Sequence, residues 1–149
     1  MTAPTLVFAW GNPSRGDDAL GPRFVEQVRA LALAGVECLD DYQLQPEHAL
    51  DLVGRARVLF VDASARAAAP YEAGPVAAAR DASFTTHAMS PQALLQVYHD
   101  VQGAPPPPCT LLAIRGERFG LGEPLSDAAG RHLDAALQWA AGWLAPQGP

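Results

Sequence analysis

The chain has 149 residues, 49% of them hydrophobic, and its 16 acidic and 10 basic side chains give a formal net charge of −6. That length supports one domain with a proper core, residues 1–149, and the apolar content excludes a disordered chain. The acidic balance argues against a nucleic-acid binder, which carries a basic face, and suits a partner with a basic segment.

Leu6 to Trp10 is a short apolar run, as expected of a strand buried on both faces of a parallel sheet. It breaks into Gly11-Asn12-Pro13-Ser14-Arg15-Gly16, a turn that delivers two adjacent carboxylates, Asp17 and Asp18, to the start of a helix. Leu20, Phe24, Val25, Val28, Leu31 and Ala32 then recur at helical spacing. Val36 to Leu39 reads as a second strand ending in Asp40-Asp41, and Pro46 opens a further helix with Ala49, Leu50, Leu52 and Val53 behind it. Val58 to Val61 is a third buried strand that stops at Asp62, and Pro75 to Ala79 is a weak edge strand. Ser90-Pro91 gives an N-cap followed by proline at the first helical position. After the stiff Pro105 to Pro108 run, Thr110 to Ile114 forms another strand, and Ser126 caps a last helix carrying Leu133, Leu137, Ala140, Ala141 and Leu144 on one face. Residues 146–149 read as a frayed tail. Strands alternating with helices predict an α/β fold with a mainly parallel sheet and helices on both faces.

Cys38 and Cys109 each fall inside a strand-like run, without the spacing of a zinc site or a redox pair, and read as free buried thiols. No charged segment leads into an apolar signal-like core, and no apolar run approaches the roughly 18 residues of a membrane span. The expectation is a soluble, cytoplasmic protein with no membrane partner.

Three features fall at predicted strand ends or in adjoining loops: Asp17/Asp18 after the first strand, Asp62 after the third, and His87 in Ser-Phe-Thr-Thr-His-Ala. The carboxyl ends of neighbouring parallel strands lie together, so these groups are placed to converge. Two carboxylates and an imidazole suit a borderline divalent ion such as zinc or nickel. Each also has a structural reading: Asp17 or Asp18 as a helix cap, Asp62 in a strand-end turn, His87 on the surface. Asp40 and Asp41 stand as either supporting groups or a solvated loop, while His48, His99 and His132 lack a second ligand one helical turn away. No GxSxG elbow supplies a serine nucleophile, and Asp17 and Asp18 occupy the positions where a phosphate loop needs Lys and Ser or Thr.

The run Leu-Val-Phe-Ala-Trp-Gly-Asn-Pro-Ser-Arg-Gly-Asp-Asp-Ala-Leu-Gly-Pro resembles the opening signature of the hydrogenase maturation endopeptidases. The resemblance continues through Leu-Phe-Val-Asp-Ala-Ser at 59–64, Thr-His-Ala-Met-Ser-Pro at 86–91, Leu-Leu-Ala-Ile-Arg-Gly-Glu-Arg-Phe at 111–119 and Leu-Ser-Asp-Ala-Ala at 125–129. It implies a three-layer α/β/α sandwich and an endopeptidase that removes the C-terminal peptide from a nickel-iron hydrogenase large-subunit precursor after nickel insertion. It also implies that Asp18, Asp62 and His87 contact that nickel, which the precursor supplies, and that Asp17 orients the loop or caps the helix. The chain departs from the family at the second strand. Where many members have an Asp-Gly-Gly-Thr-like turn, it has Asp40-Asp41-Tyr42-Gln43-Leu44-Gln45.

Two other readings share these residues. A non-catalytic nickel carrier for hydrogenase assembly would use Asp18, Asp62 and His87 without hydrolysis. Peptidyl-tRNA hydrolases also open with a strand leading into Gly-Asn-Pro, but they need a basic groove for RNA phosphates, against a net charge of −6.

Overall fold

The computed structural model describes residues 2–80 and 89–146. The elements are β1 (Thr5–Trp10), α1 (Leu20–Ala30), β2 (Val36–Asp41), β3 (Arg57–Ser64), β4 (Tyr71–Val76), α2 (Pro91–Gln102), β5 (Cys109–Arg115) and α3 (Asp127–Leu144). The strands form one five-stranded sheet in the order β2-β1-β3-β5-β4. The β2-β1, β1-β3 and β3-β5 pairs are parallel, and β4 runs antiparallel to β5 at the edge. Helices cover both faces, so the expected α/β architecture holds.

Period-two alternation along strands buried on both sides builds two cores from one sheet. Val7 and Ala9 of β1, Leu59 and Val61 of β3, and Leu112 and Ile114 of β5 pack with Phe24, Val25, Leu133 and Ala140 of α1 and α3. The intervening residues, Leu6, Phe8, Trp10, Val58 and Phe60, pack with Leu94, Leu95 and Tyr98 of α2 and with Leu44, Ala49 and Leu52. Both long helices on opposite faces start as their sequences require. The Ser90 hydroxyl accepts the Ala93 N–H at 3.1 Å, and the Ser126 hydroxyl accepts the Ala129 N–H at 3.2 Å.

Several expectations are corrected. α1 stops at Ala30, because Ala32 turns to φ 49°, and Leu31 is left exposed rather than continuing the apolar stripe. The segment after Pro46 is a 3-10 helix, Pro46–Leu52, and not an α-helix. Its two buried residues, Ala49 and Leu52, lie three apart, the repeat of the tighter helix, while Leu50 faces solvent. β2 includes Asp40 and Asp41, paired with Ala9 and Trp10 of β1, so these acids are part of the strand and not of a loop beyond it. β3 likewise runs past Asp62 to Ser64, because β5 continues to pair with it as far as Arg115. The edge strand is Tyr71–Val76, earlier in the chain than its Pro75–Ala79 expectation and set by antiparallel register with β5.

The sheet order contains a reversal. From β1 the chain crosses to β2 on one side, then returns to β3 on the other side of β1. The carboxyl ends of β1 and β3 therefore border a topological switch point, where open α/β sheets hold their ligands. Phe60 anchors the strand that forms one wall. It is fully buried and meets Trp10 at 5.8 Å and Phe8 at 6.5 Å between ring centroids. Phe60→Ala is expected to cost about 3–5 kcal/mol in urea denaturation, whereas Val101→Ala on the exposed end of α2 stays within about 0.5 kcal/mol.

Candidate active site

The loop after β1 is shaped by backbone constraints before any chemistry is considered. Gly11 has φ 149° and lies so close to Asp18 that a β-carbon would run into the Asp18 carbonyl. Gly16 has φ 55°, and a β-carbon there would strike the Arg118 carbonyl. The loop is thereby drawn against a second loop, residues 116–126, that follows β5. Backbone bonds zip the two together: Asp17 N–H donates to the Arg118 carbonyl at 2.6 Å, Gly16 N–H to Glu123 at 3.0 Å, and Gly122 N–H to Ser14 at 2.7 Å.

The two adjacent acids have different fates. Asp17 is fully buried, and its carboxylate accepts Glu117 N–H at 2.7 Å, Arg118 N–H at 3.0 Å, Ser126 N–H at 2.7 Å and the Ser126 hydroxyl at 2.7 Å. Burial alone would raise its pKa. The donors from Ser126, Glu117 and Arg118 outweigh burial and hold it below the ordinary carboxylate value. Asp17 therefore does not cap the helix that follows it in sequence; it clamps the partner loop and the start of α3. Nothing caps α1 through a side chain.

Asp18 is partly exposed, and one of its oxygens accepts the Asn12 N–H at 2.7 Å. Asp62 shares the parity of Phe60 along β3 and so lies on the Trp10 side of the sheet. Its pKa is pushed up to about 7, first by burial and then by the negative charge of Asp18, against bonds from the Ala63 N–H and the Trp10 side chain. The structure thus brings Asp18 and Asp62 together at the switch point between β1 and β3. His87 lies outside the described residues. Among the described residues no three His, Cys, Asp or Glu side chains group as a metal cage.

Asp40 and Asp41 do not join this pair. Alternation sends Asp40 toward α1, where Arg29 reaches it at 3.4 Å, and Asp41 toward the opposite face, where His48 Nε2 lies 3.2 Å away. β2 is two strands from β3, roughly 10 Å at ordinary strand spacing. His48 and His132 are structural. His48 Nδ1 accepts the Gln45 N–H at 2.8 Å, and His132 Nδ1 meets the Arg115 carbonyl at 2.8 Å. Both thiols are free and unsuited as nucleophiles, since burial raises Cys38 and pushes Cys109 up to about 12. The residues that sequence reasoning missed are Trp10, next to Asp62, and the donors Glu117, Arg118 and Ser126. The alternation of β1 and β3 was the available signal for Trp10.

No protein-family model matches the chain, and no curated protein matches it. Its likeness is to solved structures. A NiFe hydrogenase maturation protease HycI from Thermococcus kodakarensis KOD1 superposes with a TM-score of 0.73 at 19% identity, covering 97% of this chain and 94% of that one. The hydrogenase maturating endopeptidase HybD from E. coli gives 0.71 at 24% identity, covering 94% and 91%. A hydrogenase 2 maturation peptidase from the Thaumarchaeota archaeon SCGC_AB-539-E09 gives 0.69 at 21% identity, covering 96% and 99%. The chain has the fold of these peptidases over nearly its whole length.

The opposed environments of the acids predict opposite stability effects. Asp17→Asn removes the charge and turns an amide donor toward N–H groups, and is expected to cost about 2–4 kcal/mol in urea denaturation at pH 7. Because the folded Asp17 pKa is lowered, its stabilisation is present above the ordinary value of 3.8 and disappears as pH falls through the folded value, so the mutant's deficit shrinks in acid. Asp62 has the reverse sign. Its stabilisation is complete below 3.8 and is lost as pH rises to about 7, so the ionised group strains the fold above neutrality. Asp62→Asn should raise stability by roughly 1–3 kcal/mol at pH 8 and by little near pH 4, measured by thermal melts across that range.

Proposed function

We propose that the chain is an endopeptidase of hydrogenase maturation, acting on the precursor of a nickel-iron hydrogenase large subunit and removing its C-terminal peptide after nickel insertion. The observation that carries this reading is the Asp18–Asp62 pair at the β1–β3 switch point, on a fold shared almost end to end with maturation peptidases.

The pair is chemically suited to a cation that arrives with the substrate. Two carboxylates whose charges repel in a partly desolvated crevice favour a divalent ion between them. Asp18, Asp62 and His87 are the residues assigned to complete the coordination of nickel already held by the precursor. The nickel is then cargo and recognition element together, and a precursor without it lacks the charge that the pair is built to receive. Asp17 is assigned a supporting role, fixing the loop that presents Asp18. A carboxyl titrating near neutrality is also suited to exchange a proton with water beside the scissile peptide. The acidic pair disfavours phosphate, so an RNA substrate is the weaker reading, as the net charge of −6 also argues. Among the described residues no helix is long and apolar enough to cross a membrane. The two free cysteines fit a reducing compartment, and we assign the reaction to the cytoplasm.

The test is direct. Purified protein is incubated with precursor carrying its C-terminal extension, with and without nickel, and the extension is followed by mass spectrometry. Release from the loaded precursor alone is expected. Tight binding without release would favour a carrier, and indifference to both forms would overturn the reading. Asp18→Ala, Asp62→Ala and His87→Ala are each expected to slow release by about 100-fold or more while the protein remains folded. Normal processing by all three variants would overturn the site assignment.

A further inference from the structure

Six of the seven large apolar side chains left exposed among the described residues sort by position along the sheet; Leu50, 63% exposed, lies instead within the 3-10 helix Pro46–Leu52 that connects β2 to β3. Leu31 and Leu33 follow α1, Val53 precedes β3, and Val101 ends α2. All four belong to the amino edge of the sheet, away from the carboxylate pair. Tyr42, 68% exposed, and Leu121, 69% exposed, are different. Tyr42 directly follows β2 and Leu121 lies in the loop after β5, both at the carboxyl edge. In the strand order β2-β1-β3-β5 they flank the β1–β3 crevice, one from each side.

Backbone bonds connect both positions to the loop bearing Asp18. Gly11 N–H donates to the carbonyl of Asp41, next to Tyr42, at 3.0 Å, and Gly122 N–H, next to Leu121, donates to Ser14 at 2.7 Å. Both turns are also closed by their own bonds. Tyr42 N–H donates to Asp41 Oδ1 at 2.7 Å, while His48 Nε2 holds Asp41 Oδ2 at 3.2 Å. With Gln45 N–H donating to His48 Nδ1 at 2.8 Å, both imidazole nitrogens are committed to bracing the turn. Across the crevice, Glu123 N–H donates to the Gly120 carbonyl at 3.1 Å, and Gly120 N–H donates to the Glu123 carboxylate at 3.3 Å. Apolar side chains displayed on braced turns do nothing for the core. They bind with little ordering cost, and an aromatic anchor beside a functional crevice is a common interface hot spot.

We propose that Tyr42 and Leu121 are the docking anchors for the protein substrate, gripping its folded surface on either side of the crevice while its C-terminal segment reaches Asp18 and Asp62. The Asp41–His48 brace is the positioning element for Tyr42. This assignment rests on the peptidase reading and commits to the hydrogenase large-subunit precursor as the occupant. A substrate that is itself a protein must cover these flanks to deliver a peptide between them.

The experiment compares steady-state processing of nickel-loaded precursor by wild type, Tyr42→Ala, Leu121→Ala and Val101→Ala, with precursor affinity measured separately by interferometry. Tyr42→Ala and Leu121→Ala should each raise KM and Kd about 10-fold, with kcat within about twofold and melting temperature unchanged. Val101→Ala, equally exposed at 67% but on the far edge, should leave all four quantities alone. His48→Ala should raise KM as Tyr42→Ala does, and His48→Gln, which keeps an acceptor and a donor, should largely restore it. A wild type that processes precursor while both anchor variants keep its KM overturns the docking assignment and leaves the peptidase reading standing. A wild type that binds without cleaving, with both variants about 10-fold weaker, supports docking and overturns the peptidase reading. A wild type that neither binds nor cleaves overturns both.

Discussion

The carboxylate of Asp17 holds the functional end of this molecule together. It sits out of water with three backbone N–H groups and one hydroxyl directed at it, and two of those donors belong to Ser126 at the start of α3. A buried charge is tolerable only when so provided, and the positive end of the α3 dipole adds to the stabilisation. The consequence is geometric. Loops that leave β1 and β5, on either side of β3, become a single unit, and Asp18 inherits its position because it is the next residue. Gly116 belongs to the same arrangement: a β-carbon there would approach the Asp17 side chain at 3.0 Å and Phe119 at 2.7 Å.

From that clamp follows a division between two acids of identical chemistry, Asp17 and Asp62. Asp17 meets saturating donors and is locked as an anion. Asp62 meets burial and a like charge, and its pKa rises to about 7. Environments that push carboxyl groups apart in this way separate structural from reactive roles. Asp62 thereby forfeits stability at neutral pH. The clamp and the strained pair thus form one construction. A loop held less firmly would let Asp18 relax away from Asp62 and relieve the repulsion.

Much of the scaffold was legible in the chain, for reasons that are local. The apolar runs of β1, β3 and β5 and the Ser caps of α2 and α3 carry their structure in adjacent residues. What was not legible depends on distant partners. The sequence Gly-Asp-Asp does not say which acid is buried, because the deciding donor, Ser126, lies 109 residues away. Nor does it say that β3 continues through Asp62, because the ladder that extends it is built by β5. The segment after Pro46 misled for a different reason. Ala49, Leu50, Leu52 and Val53 satisfy helical spacing, but only Ala49 and Leu52 find the core, and their separation of three selects the tighter helix. Parallel topology put the Asp17/Asp18 loop beside the end of β3, whereas Asp18 rather than Asp17 as the partner of Asp62 came from the family resemblance alone.

The turn after β2 shows how side chains can set a backbone shape at the carboxyl edge of the sheet without entering the Asp18–Asp62 pair. A Gly-Gly turn takes its shape from backbone freedom and presents almost no side chain. Here Asp41 and Tyr42 stand in that stretch, and the shape is enforced by side chains instead: Asp41 binds the N–H of Tyr42 and the imidazole of His48, whose other nitrogen receives Gln45. Phe8, edge-on to His48 at 4.7 Å, ties the brace into the core. Because these bonds use the Asp41 carboxylate and the backbone of Tyr42, the phenol ring is left free to point outward. The crevice depends on strand ends and on the Asp17 clamp, neither of which involves Tyr42. Residues on such a turn can therefore differ in size and polarity without disturbing Asp18 or Asp62.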